Sequence, residues 1–302
     1  MTGPSAGPVR VRVPATSANL GPGYDSLGIA LARYDTVTAR RIDGQPRIEV
    51  SGYGADSVPR TPEHLVYRSA VLGFQALGEP TPSLELLCCN DIPHGGGQGS
   101  SAAAIVAGLA VARELTADGR QKMPDAALLD IAARLEGHPD NAAPAVLGGF
   151  TLAWTDACGH TTVVRRKVHP DITVLMFSAA LGSSTEKARA MLPPTVPHSE
   201  AAANSAASAL LMHALSEDPS LLLPGTEDFL HQRYRAAAMP ATARLVADLR
   251  RVGIAAVVSG AGPSVLAFIT DELPLKSWRR PGFDPIRLAV DEQGLMAVPL
   301  RG

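Results

Sequence analysis

The sequence predicts a chain of mixed helices and strands folded as two domains, and three observations carry that expectation. Stretches with the two-residue alternation of strands and stretches with the helical period follow one another along its length. Its 302 residues, 46% of them hydrophobic, suffice for one large or two moderate cores. Composition shifts at the charged run Arg165-Arg166-Lys167, which sets an expected boundary between 1–167 and 168–302.

Taken in order, Val9-Arg10-Val11-Arg12-Val13 alternates like a half-buried strand that Pro14 should stop. Ala15 to Gly28, small and polar around Gly21-Pro22-Gly23, reads equally as a ligand-binding loop, with Asn19 and Asp25 as contacts, or as a plain surface turn. Asp35 to Arg41 and Arg47 to Ser51 read as strands. Thr61-Pro62-Glu63 should start a helix, with Thr61 as its cap and Val66, Ala70 and Phe74 on one face. In the strand Leu84 to Cys89, the adjacent Cys88 and Cys89 should point to opposite faces as small core residues.

Pro124-Asp125 opens a helix striped by Leu128, Ile131, Ala132 and Leu135 and ending at Glu136. A carboxylate there faces the negative end of the helix dipole, which fits either an ordinary exposed Glu or one that meets a bound cation. Gly137 to Pro144 is dense in polar groups and backbone constraints, and Gly148-Gly149 turns into a strand. Beyond the boundary, Ile172 to Phe177 reads as a strand. Helices should follow from a Ser184 or Thr185 cap, over Ala201 to Leu215, and over Ala243 to Arg251. Ile254 to Phe268 is strand, glycine turn, strand.

Between the strand ending at Cys89 and an apolar helix lies Pro93-His94-Gly95-Gly96-Gly97-Gln98-Gly99-Ser100-Ser101-Ala102. Glycines let a backbone approach an anion, and the unpaired N–H groups of a helix start carry about half a positive charge. The stretch therefore reads as a phosphate cradle. A flexible Gly/Ser linker is the weaker alternative, because Ala-rich helix sequence follows at once. No lysine follows Gly99 as a P-loop requires, the dinucleotide glycine pattern ends in Ser100, and no nucleophile-elbow serine stands between glycines.

A formal net charge of -2 argues against nucleic acid or an anionic membrane as main partner and for small molecules. Met1 to Arg12 has no apolar h-region and no run is long enough to span a bilayer, so the expected location is the cytoplasm. Three cysteines without metal-ligand spacing carry no chemistry.

Three glycine stretches in this order, Pro14 to Asp25, Pro93 to Ala103 and Ser259-Gly260-Ala261-Gly262-Pro263, resemble the three motifs of the GHMP small-molecule kinases. Within that superfamily Glu136-Gly137-His138-Pro139-Asp140-Asn141, Ser184 to Arg189 and Tyr234-Arg235 most resemble the homoserine kinase family. The resemblance implies a two-domain α+β fold, with an N-terminal ATP-binding α/β domain and a ferredoxin-like C-terminal domain. It implies phosphorylation of the side-chain hydroxyl of L-homoserine by ATP, on the way to threonine, in a homodimer. A paralogue acting on threonine or another hydroxy-amino acid, or a weakly active nucleotide-binding regulator, are the alternatives.

By the same resemblance ATP would contact His64, Pro93, His94, Gly95, Gly96, Gly97, Gln98, Gly99, Ser100, Ser101, Ala102, Gly260 and Gly262. Ser101 and Glu136 would hold Mg²⁺. Arg189 and Arg235 would clamp the substrate carboxylate, Asp25 and Asp140 would meet its ammonium group, and Asn19, Asn141 and Thr185 would hydrogen-bond near the hydroxyl. Some relatives carry a basic Asp at the place of Asn141. A neutral amide takes no proton, so with Asn141, Ser101 and Glu136 as the catalytic residues the reaction should rest on positioning and on charge stabilisation by Mg²⁺, the helix N-terminus and the glycine loop. The chain departs from the family at Gly96, often Arg, at Gln98, commonly Leu, and at His64, often Asn.

Overall fold

The computed structural model describes residues 7–179, 182, 185–270 and 278–300. The first half forms β1 (Val9–Ala18), β2 (Leu27–Arg41), β3 (Arg47–Gly52), α1 (Leu65–Ala76), β4 (Leu84–Asn90) and α2 (Ser100–Leu115), then a single turn α3 (Gly119–Lys122), α4 (Asp125–Glu136), α5 (Pro139–Leu147), β5 (Phe150–Thr155) and β6 (Thr161–Arg166). The second half forms β7 (Thr173–Ala179), α6 (Thr185–Ala190), α7 (His198–Ser216), the short α8 (Leu222–Gly225) and α9 (Gln232–Arg235), α10 (Pro240–Arg251), β8 (Ala255–Val258), β9 (Val265–Ile269), β10 (Phe283–Leu288) and β11 (Met296–Pro299).

These elements build two sheets. A seven-stranded sheet runs β11-β1-β2-β4-β3, and β5 extends it by pairing with the opening residues of β2 and with β6. Apolar faces of α1, α2, α4 and α5, including Phe74, Leu109, Leu128 and Val146, close over it in the main core. The second sheet is antiparallel in the order β10-β7-β9-β8, which is 4-1-3-2 in its own chain order and ferredoxin-like. The period of two along β7 serves two cores. Val174 and Met176 join the main one, whereas Leu175 and Phe177 pack with Leu245 and Leu249 of α10.

Four local expectations are corrected. Pro14 does not end the first strand: β1 continues to Ala18, with a register shift between Pro14 and Ala15 where the missing N–H of proline is tolerated. The first helix starts at Leu65, four residues after Thr61, whose hydroxyl is bonded to Glu63 instead of capping. Cys88 is buried as expected, but Cys89 is exposed, its sulfur 3.1 Å from the Ser51 hydroxyl. Residues 296–299, expected in the second domain, form β11, which pairs with β1. Ser184 and the Thr185 side chain lie outside the described residues.

The constrained stretch after Glu136 turns out to be a helix start. Gly137, at φ +85°, ends α4, and Pro139 occupies the first turn of α5. That turn seats directly on β2 at Gly28, where an added Cβ would lie 1.9 Å from the Asp140 carbonyl oxygen. Glycine at 28 thus places Asp140 and Asn141 over the sheet.

Candidate active site

The glycine loop and the third glycine stretch come from different sheets and are fastened together. Ser259 donates from Oγ to the Gly97 carbonyl at 2.6 Å and can accept from Ser17 Oγ at 2.8 Å, and Gly260 N donates to the Ala18 carbonyl at 3.1 Å. The loop before α2 is backed by Asp35, whose Oδ1 accepts the N–H groups of Asp91 and Ile92 at 2.8 and 2.9 Å. Burial pushes the Asp35 carboxyl up to about 6, against the pull of those two N–H groups. Gly99, at φ +73°, is the N-cap of α2, and a Cβ there would meet Thr16 Oγ1 at 1.9 Å. The N–H groups of Ser100, Ser101 and Ala102 have no partner inside the helix and converge at its start.

A cavity of ≈ 230 Å³ opens at this helix start. Its walls are Gly95, the loop from Gly97 to Ser101, Gly260 to Gly262, and Asn19, Asp25, Glu136, His138, Asp140, Asn141, Arg189 and Arg235, but not Gly96. Most of the residues expected to bind phosphates, metal and acceptor therefore line one space. His64 and His94 instead line an adjoining, more apolar cavity of ≈ 270 Å³ with Val37, Val66 and Ala107, which shares Ser100 and Ser101 with the first. His64 is buried and its Nδ1 has no hydrogen-bond partner among the described residues. Pro93 and Ala102 are buried, so only their backbone can serve a ligand.

The structure gives the surroundings of the two loop residues that depart from the family pattern. The Gln98 side chain turns into the protein: its Nε2 donates to Ser178 Oγ of β7 at 3.0 Å and its Oε1 accepts from Arg33 Nη1 at 3.0 Å. It ties the loop to both sheets and leaves phosphate contact to its backbone. An added Cβ at the buried Gly96 would meet Pro93 and Gln98 only at ordinary van der Waals distance, 3.5 Å or more, so its lack of a side chain is not a packing requirement.

At the end expected to hold a metal, Glu136 closes α4 and lines the cavity together with Ser101, whose hydroxyl acts on its carboxyl. Burial raises its carboxyl above the ordinary range, and the Ser101 hydrogen bond offsets part of that. Among the described residues no Lys or Arg forms an ion pair with it, and no cluster of three His, Cys, Asp or Glu could hold a metal unaided. Hard oxygen donors beside an anion cradle, Glu136 half-buried and Ser101 exposed, suit a magnesium ion that takes its remaining ligands from phosphate and water.

At the end expected to take the acceptor several polar groups are already engaged. Asn19, on the cavity wall, donates from Nδ2 to the Gly260 carbonyl at 2.9 Å and accepts the Asp25 N–H at 2.9 Å, so its amide braces two loops. Arg189, expected to clamp a carboxylate, lines the cavity and forms a two-pronged pair with Asp25 at 2.9 and 2.8 Å. Asp140 is buried and accepts from His138 Nδ1 at 2.6 Å. Burial pulls the His138 imidazole down, but the hydrogen bond and charge of Asp140 outweigh it and leave its pKa raised. Asn141 Oδ1 accepts from Thr16 Oγ1 at 2.7 Å, and its Nδ2 lies 3.4 Å from Asp140.

Arg235 stands apart. Only 2% exposed, it donates from Nε to the Ala188 carbonyl at 3.1 Å and from Nη1 to His231 Nδ1 at 3.1 Å, and it forms no ion pair with a carboxylate among the described residues. Burial lowers its pKa, as expected for a desolvated cation facing the cavity. Sequence reasoning missed Tyr24, whose ring lies 5.4 Å from the Arg189 guanidinium and 5.6 Å from that of Arg235. It also missed His231, whose only sequence signal is its place four residues before Arg235.

Known families share this arrangement. Residues 64–149, from α1 through the glycine loop to the turn before β5, match the GHMP kinases N terminal domain, and residues 205–277 match GHMP kinases C terminal. The fold and the disposition of the three glycine stretches are thus those of a GHMP kinase. Homoserine kinase from Streptomyces coelicolor is 48% identical, over 99% of this chain and 98% of that protein. That of Mycobacterium tuberculosis is 47% identical over 87% and 84%. The crystal structure of homoserine kinase from Cytophaga hutchinsonii superposes with a TM-score of 0.85 at 26% identity, covering 99% of both chains. The chain belongs to the homoserine kinase family.

Proposed function

We propose that the protein transfers the γ-phosphoryl group of ATP to the side-chain hydroxyl of L-homoserine, giving O-phospho-L-homoserine, a step towards threonine. The observation that carries the reading is Arg235, a buried guanidinium without a carboxylate partner among the described residues, facing the cavity that the glycine loop also lines. An acceptor with a carboxylate supplies what that group lacks.

The triphosphate would lie on the N–H groups from Gly95 to Ala102, with Gly260 and Gly262 closing over it, and the base would enter the cavity beside His64. Ser101 and Glu136 would hold Mg²⁺, which when bound neutralises phosphate charge. The acceptor's carboxylate would meet Arg235. Its ammonium would meet Asp25, whose oxygens have lone pairs left beyond those given to Arg189, with Asp140 behind. Arg189 then serves by fixing Asp25. The Asn141 amide would hydrogen-bond the acceptor hydroxyl from Nδ2, and Thr185 starts α6 nearby in sequence to Arg189.

The hydroxyl oxygen would attack the γ-phosphorus in line with the departing β-phosphate oxygen, its proton passing to a phosphoryl oxygen. Asn141 accepts no proton and Asp140 is occupied by His138, so rate comes from alignment and from N–H groups already aimed at the transferring charge. An ADP-release assay across L-homoserine, L-threonine, L-serine, mevalonate and galactose tests the reading. L-Homoserine is expected to give the highest kcat/KM, and a better acceptor among the others would overturn it.

A further inference from the structure

We propose that His231 is a positioning residue that presets the Arg235 guanidinium for the acceptor's carboxylate by holding it from behind as a neutral imidazole. The inference rests on the reading of Arg235 given above. His231 is wholly buried. Its two nitrogens have different partners: Nε2 is 2.9 Å from the Gly21 carbonyl, which can only accept, and Nδ1 is 3.1 Å from Arg235 Nη1, which can only donate. One protonation state satisfies both, with the proton on Nε2 and the lone pair on Nδ1. Burial, together with the adjacent Arg235 charge, favours that neutral form, although Asp228, 3.8 Å away, opposes it. The Asp228 oxygens are in turn held by the backbone N–H groups of Leu230, His231 and Gln232.

The guanidinium is fixed at three points. Nε is spent on the Ala188 carbonyl, Nη1 on His231, and the Tyr24 ring lies 5.6 Å from the carbon centre while its own centroid sits 5.2 Å from the imidazole. The remaining N–H edge is left for a ligand. A long side chain otherwise free to rotate is thus ordered before the acceptor arrives, and the ordering cost is removed from binding. Because His231 also grips Gly21, it links the first glycine stretch to the carboxylate end of the site.

Steady-state kinetics on His231→Phe, Arg235→Ala and the double variant test this, with L-homoserine and its carboxylate-free analogue 3-aminopropan-1-ol as acceptors. Phenylalanine keeps the ring against Tyr24 and removes both hydrogen bonds. His231→Phe is expected to raise the KM for L-homoserine about tenfold, to leave the KM for ATP within about twofold, and to cut the preference for L-homoserine over the analogue by the same tenfold. In the Arg235→Ala background it should cut that preference no further. His231→Gln, which can both donate and accept, should restore most of the preference. If His231→Phe does not fold, His231→Asn, too short to reach both partners, is compared with His231→Gln on the same ratio. Equal losses on both acceptors, or a matching rise in the KM for ATP, overturn the inference while leaving Arg235 in place. An unchanged preference in Arg235→Ala overturns the reading of Arg235 and this inference with it.

Discussion

The two halves of the site are built from different materials. The half proposed to hold phosphate is backbone: helix N–H groups, glycine turns and carbonyls pinned by Ser259, with Gln98 and Asp35 as fasteners behind them. The acceptor half is side chain: the Asp25–Arg189 pair, the His138–Asp140 pair and the held Arg235. A backbone site depends on space and φ, so it tolerates changes of side chain where these point away and fails where a Cβ intrudes. A side-chain site depends on charge and hydrogen bonding, so single truncations there change which molecule is accepted.

The largest effect is expected where the halves meet. Glu136→Ala removes the carboxylate beside Ser101 and should lower Mg²⁺-dependent turnover by about a hundredfold or more. Turnover near wild type, measured across a Mg²⁺ titration, would show that the metal is held elsewhere. A smaller effect separates two glycines of one loop. Gly99→Ala forces a Cβ onto Thr16 at positive φ and should cost about 1–3 kcal/mol in urea unfolding and weaken ATP binding, whereas Gly96→Ala should change stability by about 0.5 kcal/mol or less. Equal costs at both positions would break the argument from space.

The smallest effect is a pH dependence behind the loop. Folded Asp35 keeps its proton up to about 6 against an ordinary 3.8, so between those values the native state binds more protons than the unfolded chain and loses stability as pH rises. Asp35→Asn removes that loss. Its stability relative to wild type should rise by of order 2 kcal/mol from pH 4 to pH 7 and stay level above that. A difference flat with pH would remove Asp35 from the account.

The sequence made the phosphate half legible because its cause is local: glycines, then an apolar helix, within about a dozen residues. Arg235 and Glu136 were also legible, from short motifs. What stayed hidden involves partners far apart in the chain. Nothing near Arg189 announces that Asp25, 164 residues away, fills its fork, and nothing near Asn19 announces Gly260. Pro14 read locally as a stop, yet β2 pairs across it on both sides of a bulge. The return of β11 to β1 depends on a register set at the other end of the chain. Tyr24 and His231 escaped because buried aromatic residues read as core until the arginines they support are seen above them.

The division of labour is tested most directly by measuring both Michaelis constants of Arg235→Ala. Loss of charge-assisted hydrogen bonds of about 1.5–3 kcal/mol predicts a KM for L-homoserine about 10- to 150-fold higher. The KM for ATP should stay within about twofold of wild type. A rise confined to ATP would place Arg235 in the phosphate half and contradict the account.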